Sequence, residues 1–190
     1  MDHYINITIM PDTKSDTALP QNGLMGSVYG LVHGALALND NKYGVGVSFP
    51  AIEARDPGNV IRLHGDSNGL NALALADKLG ELSRWVSVSD VLPVPDHVNG
   101  HAVVTRFRLK MGQAQMRRMK KRGTFTAGDE RAYLAKMKAR AAQYPHINVQ
   151  SRSTGQTYPR HIKVSEVLQS PVAGEFDNFG LSQKATVPLF

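Results

Sequence analysis

The sequence predicts an α+β fold in two parts, on the basis of the order of its periodic segments and of its charge distribution. In the first half, segments with the alternation of strands and segments with the spacing of helices follow one another in the order βαββαβ. Residues 1–97 hold six Lys or Arg and eleven Asp or Glu, a net charge of −5, whereas residues 98–190 hold sixteen and five, a net charge of +11. We therefore predict one domain over 1–97 and a smaller cationic domain over 98–190, divided in the turn-rich segment Pro93–Gly100.

The elements of the first half follow from hydrophobic periodicity and from capping residues. Asn22 is a candidate N-cap for the first helix and Ser67 for the second. The order βαββαβ is typical of ferredoxin-like domains, which RNA-recognition domains also use. The predicted elements are a strand at 5–9, a helix from Asn22 to about Leu38, strands at 45–49 and 61–63, a helix at 67–82 and a strand at 86–91.

The segment Arg106–Arg122 carries most of the functional signal. Eight of its seventeen residues are Lys or Arg and none is Asp or Glu. Its first part alternates like a strand, which places Arg106 and Arg108 on one face, and its second part is rich in helix formers. A strand that presents guanidinium groups can read base edges, while a cationic helix contacts phosphates. The helical positions that we expect to contact phosphate, as a group, are Arg117, Arg118, Lys121 and Arg122.

The alternative interpretation of this segment is a solvated charged face, which is what most charge runs are. Solvated faces usually mix both signs, and this segment carries only one. Its composition therefore favours nucleic-acid binding.

Composition excludes several other classes of function. There is no cysteine, so disulfides, thiolate catalysis and cysteine-ligated zinc are absent. The seven histidines are scattered without an HExxH pattern, and we predict no metal site. The N-terminus does not have the pattern of a signal peptide, and no apolar run has the length of a membrane span, so we expect a cytoplasmic protein without a membrane partner.

One histidine lies in an unusual environment. His33 falls in the first predicted helix, where Gly26, Gly30 and Gly34 recur every four residues and form a ridge. Each such glycine costs about 0.5–1 kcal/mol relative to alanine in a helix, so a bulky group is expected to approach the backbone there. One interpretation is tight helix–sheet packing beside an incidental histidine. The other is an imidazole at the edge of an RNA groove, where it can move the proton of a ribose 2′-hydroxyl.

The remaining chain predicts a second helix of the cationic part from Thr126, whose TAGD resembles a capping box. From Ile147 onward short strands are expected around SRSTGQ, with Gly155 in a tight turn.

Several motifs together are similar to those of one family. MDHY, LMGSVYGLVHGAL, GVSFP, RSTGQ, FGLS and the terminal VPLF occur in the order found in the type I-F CRISPR repeat-processing endoribonucleases, and the resemblance spans nearly the whole chain. It implies an enzyme that binds the hairpin of CRISPR repeat RNA and cuts once at its 3′ base, with the ribose 2′-hydroxyl as nucleophile and without a metal or other cofactor. We also predict that the enzyme stays on its product as part of a guide-RNA surveillance complex with other type I-F subunits, because the expected contacts lie on the stem, upstream of the cut.

The resemblance also implies roles for individual residues. The catalytic histidine of the family falls on His33, and the serine that orients the 2′-hydroxyl falls on Ser151. The aromatic residue that stacks on the terminal base pair falls on Tyr158. Base-reading residues fall on Arg106 and Arg108.

Two positions depart from the family pattern. Phe179 stands where the family has a tyrosine before GLS, and a phenyl ring cannot donate the hydrogen bond that would orient an imidazole, so Phe179 is not predicted to be catalytic. Arg108 stands where the family has glutamine, which predicts that this position reads guanine instead of adenine. Because of Phe179, the alternative function is a non-cleaving subunit that holds the guide-RNA hairpin. A third hypothesis is a basic RNA-binding module unconnected to CRISPR.

Overall fold

The computed structural model describes residues 1–10, 21–108, 111–123, 125–151 and 154–190. The end of the alternating part of Arg106–Arg122 and the middle of SRSTGQ lie outside the described residues. In chain order the elements are β1 (His3–Ile9), α1 (Gln21–Ala37), β2 (Gly46–Ser48), β3 (Val60–Gly65), α2 (Ser67–Ala72), α3 (Leu75–Lys78), a 3-10 turn (Gly80–Arg84), β4 (Val86–Val88), β5 (Leu92–Pro93), β6 (Gly100–Ala102), β7 (Val104–Phe107), α4 (Gln113–Lys121), α5 (Ala127–Ala141), β8 (His146–Gln150), β9 (Thr157–Val164) and β10 (Val187–Leu189).

The first half forms a mixed α/β layer whose sheet has the strand order β2-β3-β1-β4, with β5 also paired to β1. Every pairing is antiparallel, and Ile5 and Ile7 of the central strand β1 lie opposite Leu63 and Ile61 of β3. The alternating residues predicted to face the core are the buried ones in β1. The four predicted strands are therefore confirmed at their predicted places.

Neither Asn22 nor Ser67 is the cap that the sequence predicted, because each lies inside its helix. Helix α1 begins at Gln21, so Asn22 lies inside it, and its side chain bonds the backbone of β8 instead. Asp66 caps α2 by accepting from Gly69 N. The second predicted helix is also broken after Leu73, where Ala74 adopts a left-handed conformation (φ 45°).

The second half forms two small antiparallel sheets. One has the order β7-β9-β8, and the other pairs β10 with β6. Thr126 and Asp129 form the predicted capping box at the start of α5, since each side chain bonds the backbone of the other residue. A cationic helix is present at α4, whose side chains from Met116 onward include four Lys or Arg.

Apolar residues from both halves meet in one core. Ile7 and Val47 of the first half belong to the same buried cluster as Ile147, Ile162 and Val187 of the second. The division at residues 97 and 98 remains a prediction. In the part of the chain that the structure describes, no helix combines the length and the apolar character needed to cross a membrane.

Candidate active site

The imidazole of His33 is held in one orientation by a backbone carbonyl. Its Nδ1 donates to the carbonyl oxygen of Asn178 at 2.7 Å, and His33 is only half-buried. A carbonyl can only accept, so the proton lies on Nδ1 and the neutral ring carries its lone pair on Nε2. The sequence left open which group would orient the ring in the absence of a tyrosine hydroxyl. The carbonyl of Asn178 fills that role.

Phe179 forms the surface on which this imidazole rests. The two rings are stacked, with centroids 3.6 Å apart and an angle of 7° between their planes. On the other side of the phenyl ring, the guanidinium carbon of Arg160 lies 3.4 Å from the centroid. Since the imidazole covers one face, Arg160 occupies the opposite face, and a cation so close to an aromatic face is attracted by it.

The turn that carries Phe179 is fixed by contacts from several elements. Asp177 Oδ1 accepts from Phe179 N at 2.8 Å and from Leu181 N at 2.9 Å. The hydroxyl of Tyr29, on α1, donates to the carbonyl oxygen of Phe179 at 3.0 Å, and burial raises the pKa of this tyrosine well above its usual value. Gly180 has a φ of 69° and would place a Cβ against Val47, so glycine is required there. These contacts position Phe179 and Asn178 relative to α1.

Arginines from β7 and β9 share one face of the small sheet. Arg106 lies opposite Ile162 in the register and Phe107 lies opposite His161, so the next step along both chains brings Arg108 and Arg160 together. The side chains of Arg106, Arg108, Arg160 and Phe179 line one cleft of about 1010 Å³. Partial burial lowers the pKa of Arg106, and the charges of Arg160 and Arg108 lower it further. Arg106 and Arg108 both line this cleft, which is consistent with the prediction that they share one face of the strand.

The glycine ridge of α1 packs beside β8. A Cβ on Gly26 would overlap the carbonyl oxygen of Asn148, whereas a Cβ on Gly30 would meet nothing within 4 Å. Asn22 donates from Nδ2 to His146 O at 2.9 Å and accepts at Oδ1 from Asn148 N at 3.1 Å. Close helix–strand packing thus explains Gly26, whereas the half-buried Gly30 has room for a Cβ.

A groove of about 830 Å³ lies between α1 and the β8–β9 hairpin, and Gly26 and Asn148 form part of its lining. Gly30 and Gly34 line it from the helix side, and Gln150 and Thr157 line it from the hairpin. Asn22 contacts His146 and Asn148, and Gly26, one turn later, contacts Asn148, which indicates that α1 and β8 run in the same direction. The groove lies between the helix of His33 and the strand that leads into Ser151.

Ser151 begins the loop of that hairpin and is half-buried. Its backbone N donates to Gln156 O at 2.9 Å, and its carbonyl oxygen accepts from Gly155 N at 2.8 Å. Gly155 has a φ of 68°, as predicted for a tight turn. Thr154 N donates to Ser151 Oγ at 3.3 Å.

The other predicted RNA contacts occupy two different surfaces. Tyr158 is part-buried against the core, in β9 on the same face as Arg160. Lys120 forms an ion pair with Glu130 at 2.6 Å, and it was not among the predicted phosphate contacts. The four that were predicted are all exposed on or just beyond α4: Arg117, Arg118, Lys121 and Arg122.

Sequence reasoning missed Arg160. The side chain is 4% exposed and lines the cleft beside the two predicted arginines. Its signal was present in the chain, because Arg160 alternates with Ile162 along a strand and so falls on the apolar face, where an arginine is unusual. Among the residues that the structure describes, no group of three or more His, Cys, Asp or Glu side chains is arranged to hold a metal ion.

The fold and this site define a mixed α/β protein with a cationic cleft next to an oriented histidine. Residues 4–190 match the family CRISPR-associated protein (Cas_Csy4), and the chain belongs to that family. It is 33% identical over 191 residues to the CRISPR-associated endonuclease Cas6/Csy4 of Escherichia coli (strain UTI89 / UPEC), and 30% identical over 193 residues to the protein of that name from Pseudomonas aeruginosa (strain UCBPP-PA14). Both alignments cover 100% of this chain and 100% of the relative. The resemblance inferred from sequence motifs is confirmed.

Proposed function

We propose that this chain is an endoribonuclease that binds the stem-loop of CRISPR repeat RNA and cuts once at its 3′ base. Its relatives are named CRISPR-associated endonucleases, and it shares their full length. The observation that carries the proposal for this chain is the hydrogen bond from His33 Nδ1 to Asn178 O, which leaves Nε2 as the basic nitrogen. An imidazole with one defined basic nitrogen is suited to proton transfer near neutral pH.

In the proposed reaction the ribose 2′-oxygen attacks the adjacent phosphorus while Nε2 of His33 accepts the hydroxyl proton. The P–O2′ bond forms and the P–O5′ bond breaks, giving a 2′,3′-cyclic phosphate on one product. The departing 5′-oxygen takes up a proton from water and becomes a 5′-hydroxyl on the other product, and the proton held by Nε2 is returned to water. No redox change or external cofactor is needed, so we propose that the reaction is metal-independent.

Ser151 is proposed to hold the 2′-hydroxyl, and the geometry of α1 and β8 supports its proximity to His33. A helix advances about 1.5 Å per residue and a strand about 3.3 Å. Measured from the contact of Gly26 with Asn148, His33 and Ser151 therefore both lie about 10 Å further along. Seven residues make nearly two helical turns, so His33 points within about 20° of the direction of Gly26, toward β8.

The RNA stem is proposed to lie across the cationic surfaces of the second half. Arg106 and Arg108 would address base edges at the foot of the stem, and Tyr158 would stack on its terminal base pair. The exposed cations of α4 (Arg117, Arg118, Lys121 and Arg122) would contact phosphates. Such contacts make affinity fall with salt, with a log–log slope of roughly −0.7 to −0.9 per phosphate neutralised.

We also propose that the enzyme keeps its product and acts within a type I-F surveillance complex in the cytoplasm. The proposed contacts lie on the stem, upstream of the cut, so cleavage removes few of them. The strand order β2-β3-β1-β4 supports a ferredoxin-like domain over 1–97. The arginine cleft and α4 support an RNA-binding domain over 98–190.

The alternative is a subunit that holds the guide-RNA hairpin without cutting it. Phe179 favours this alternative, because it lacks the hydroxyl found at this position in the family pattern. The orientation of His33 by Asn178 favours cleavage, because the imidazole is already held without that hydroxyl.

One assay separates these functions. The protein is incubated in EDTA with a labelled repeat RNA from the CRISPR array of its own organism, beside the same RNA with a single 2′-deoxy substitution at the cut. We expect one cut with a 2′,3′-cyclic end in the first RNA and none in the second. Tight binding of both RNAs without a cut would support the non-cleaving subunit. Indifference to the hairpin, measured against a shuffled sequence of equal composition, would contradict both.

A further inference from the structure

Arg160 is a buried cation with an unsatisfied donor. Only 4% of its surface is exposed, and its Nε is buried without a hydrogen-bond partner. Burying an unpaired charge is unfavourable unless another group neutralises it. Removing the charge should therefore stabilise the free protein. A function in a bound state would explain why the chain carries an arginine there.

The surroundings of Arg160 supply more cations and few available anions. The cleft lining includes Arg106, Arg108, Arg160 and Lys184, against the carboxylates of Glu175 and Asp177. In the described parts of the chain, none of these four cations forms an ion pair within 4.0 Å. Asp177 Oδ1 is engaged by two backbone N–H groups of its own turn. The cleft thus keeps a positive excess that a bound anion can neutralise.

The stacking arrangement places this cation close to the proposed chemistry. Arg160 and His33 occupy opposite faces of the ring of Phe179, at 3.4 Å and 3.6 Å from its centroid. The ring therefore holds the guanidinium group in place, and this group lines the cleft that a ligand would enter. A planar guanidinium with fixed donors is well matched to the oxygens of a phosphate.

We propose that Arg160 binds a backbone phosphate of the RNA next to the cleavage site. This inference rests on the proposed function, since it takes repeat RNA as the ligand of the cleft. Arg160 is then a phosphate-binding residue beside the acid–base group, and the phosphate provides the negative charge that the free protein lacks. The alternative is that Arg160 acts only as a flat packing surface for Phe179.

The test compares Arg160→Met with Arg55→Met. Methionine keeps the unbranched apolar side chain next to Phe179 and removes the charge. Arg55 is exposed and lies in the acidic half, so its variant controls for the loss of one positive charge. Affinity is measured for an uncleavable 2′-deoxy repeat hairpin across a salt series, together with the melting temperature of each protein without RNA.

We expect Arg160→Met to weaken binding by about tenfold or more and to reduce the salt slope by roughly 0.7–0.9, the contribution of one phosphate. Its melting temperature without RNA should be unchanged or raised. Arg160→Lys keeps the charge and should restore part of the affinity. Hairpins with a neutral methylphosphonate at single positions locate the contact: substitution next to the cut should weaken binding by wild type but not by Arg160→Met.

Other outcomes overturn the inference. If Arg160→Met binds like Arg55→Met, Arg160 contacts no phosphate, even though wild type binds and cuts the hairpin. If its melting temperature falls and Arg160→Lys restores nothing, the role is packing. If wild type neither binds nor cuts the hairpin, the proposed function fails and this inference fails with it.

Discussion

His33 lies flat against Phe179, with ring centroids 3.6 Å apart, and these residues are 146 positions apart in the chain. The contact joins helix α1 to the turn that also supplies the carbonyl acceptor for His33 Nδ1. The orientation of the imidazole and the surface on which it rests therefore come from one short segment. That segment is itself held to α1 by the hydroxyl of Tyr29.

Replacing His33 with alanine should abolish cleavage and leave hairpin affinity nearly unchanged. In the proposed reaction the imidazole moves a proton at the cut, whereas the affinity is expected to come from the arginines and from α4. Loss of a general acid–base group typically costs 10²–10⁴-fold in rate. Ser151→Ala should act in the same direction. Single-turnover rates and Kd measured in parallel check both variants, and a rate within a few-fold of wild type for His33→Ala would show that another group moves the proton.

Replacing Phe179 with leucine should slow cleavage by about 10²-fold, because displacing a catalytic group by about 1 Å can reduce the rate by that factor. Leucine retains apolar bulk but removes the flat ring between His33 and Arg160. Phe179→Tyr is the matched control, because it keeps the ring and adds only the hydroxyl. We expect it to cleave within a few-fold of wild type, since Asn178 already orients the imidazole. A large gain for Phe179→Tyr would show that orientation by the carbonyl is insufficient.

Two glycines of the same helical ridge should respond oppositely to alanine. A Cβ on Gly26 would overlap the carbonyl oxygen of Asn148, so Gly26→Ala should lower the free energy of unfolding by about 1–3 kcal/mol. Gly30→Ala meets nothing within 4 Å and should raise it by about 0.5–1 kcal/mol. Urea denaturation of the two variants measures the difference. Equal effects would mean that α1 does not rest on β8 at Gly26.

The buried residue His64 should make the protein less stable in mild acid. Burial, with added effects from the charges of Arg62 and the N-terminus, lowers the pKa of His64 from 6.5 to about 3. Below pH 6.5 the unfolded chain binds a proton that the folded chain does not, so stability is complete above that pH and falls as the pH decreases. The expected slope from this residue is about 1.4 kcal/mol per pH unit down to about pH 3.

The control for this prediction is His64→Gln, which does not titrate and retains a side chain able to reach the hydroxyl of Ser48, the partner of His64 at 2.8 Å. Unfolding free energies of wild type and variant are compared between pH 7 and pH 4. Identical slopes would mean that His64 is protonated in the folded protein or does not contribute to acid sensitivity.

Arg108 is predicted to read a guanine, whereas the glutamine of the family pattern at this position would read an adenine. Arg106 and Arg108 are about 6.6–6.8 Å apart along the strand direction, which suits neighbouring base pairs. Arg pairs with O6 and N7 of guanine, and Gln with the N6/N7 edge of adenine. An A-form groove is otherwise too narrow for this contact, so the base pair must lie at the open end of the stem.

A two-by-two exchange tests this prediction. Wild type and Arg108→Gln are each measured against hairpins with G·C or A·U at the pair in question. Wild type should favour G·C by about 1–3 kcal/mol, and the variant should lose or reverse that preference. Equal weakening of both hairpins would show that Arg108 contacts only the backbone.

The sequence predicted the strands of the first half and the capping box of α5 well because their signals are local. The alternation of Ile5, Ile7 and Ile9 is visible within one strand, and the box of Thr126 and Asp129 within one helical turn. Helix α2 was predicted too long because the left-handed turn at Ala74 has no glycine to mark it.

The contacts of the His33 ring were not predictable in the same way. The chain suggested His33 as a candidate, but the contacts of its ring with Asn178 and Phe179 are made across the whole length of the protein. Phe179 was set aside because it cannot form a hydrogen bond, and the structure shows that it contributes a stacking surface instead. Arg160 alternates with Ile162 along its strand, but this local signal could not show how deeply the side chain is buried, because burial is a tertiary property.

The side chain of Asn22 has a further effect on the assembly of chains. Strand β8 is an edge of its sheet, and an exposed edge is a template for pairing with strands of other molecules. Asn22 occupies the carbonyl of His146 and the N–H of Asn148, and Gly26 brings the body of α1 against the same strand. The helix that carries His33 thereby covers this edge and protects the folded protein against aggregation by strand addition on that side.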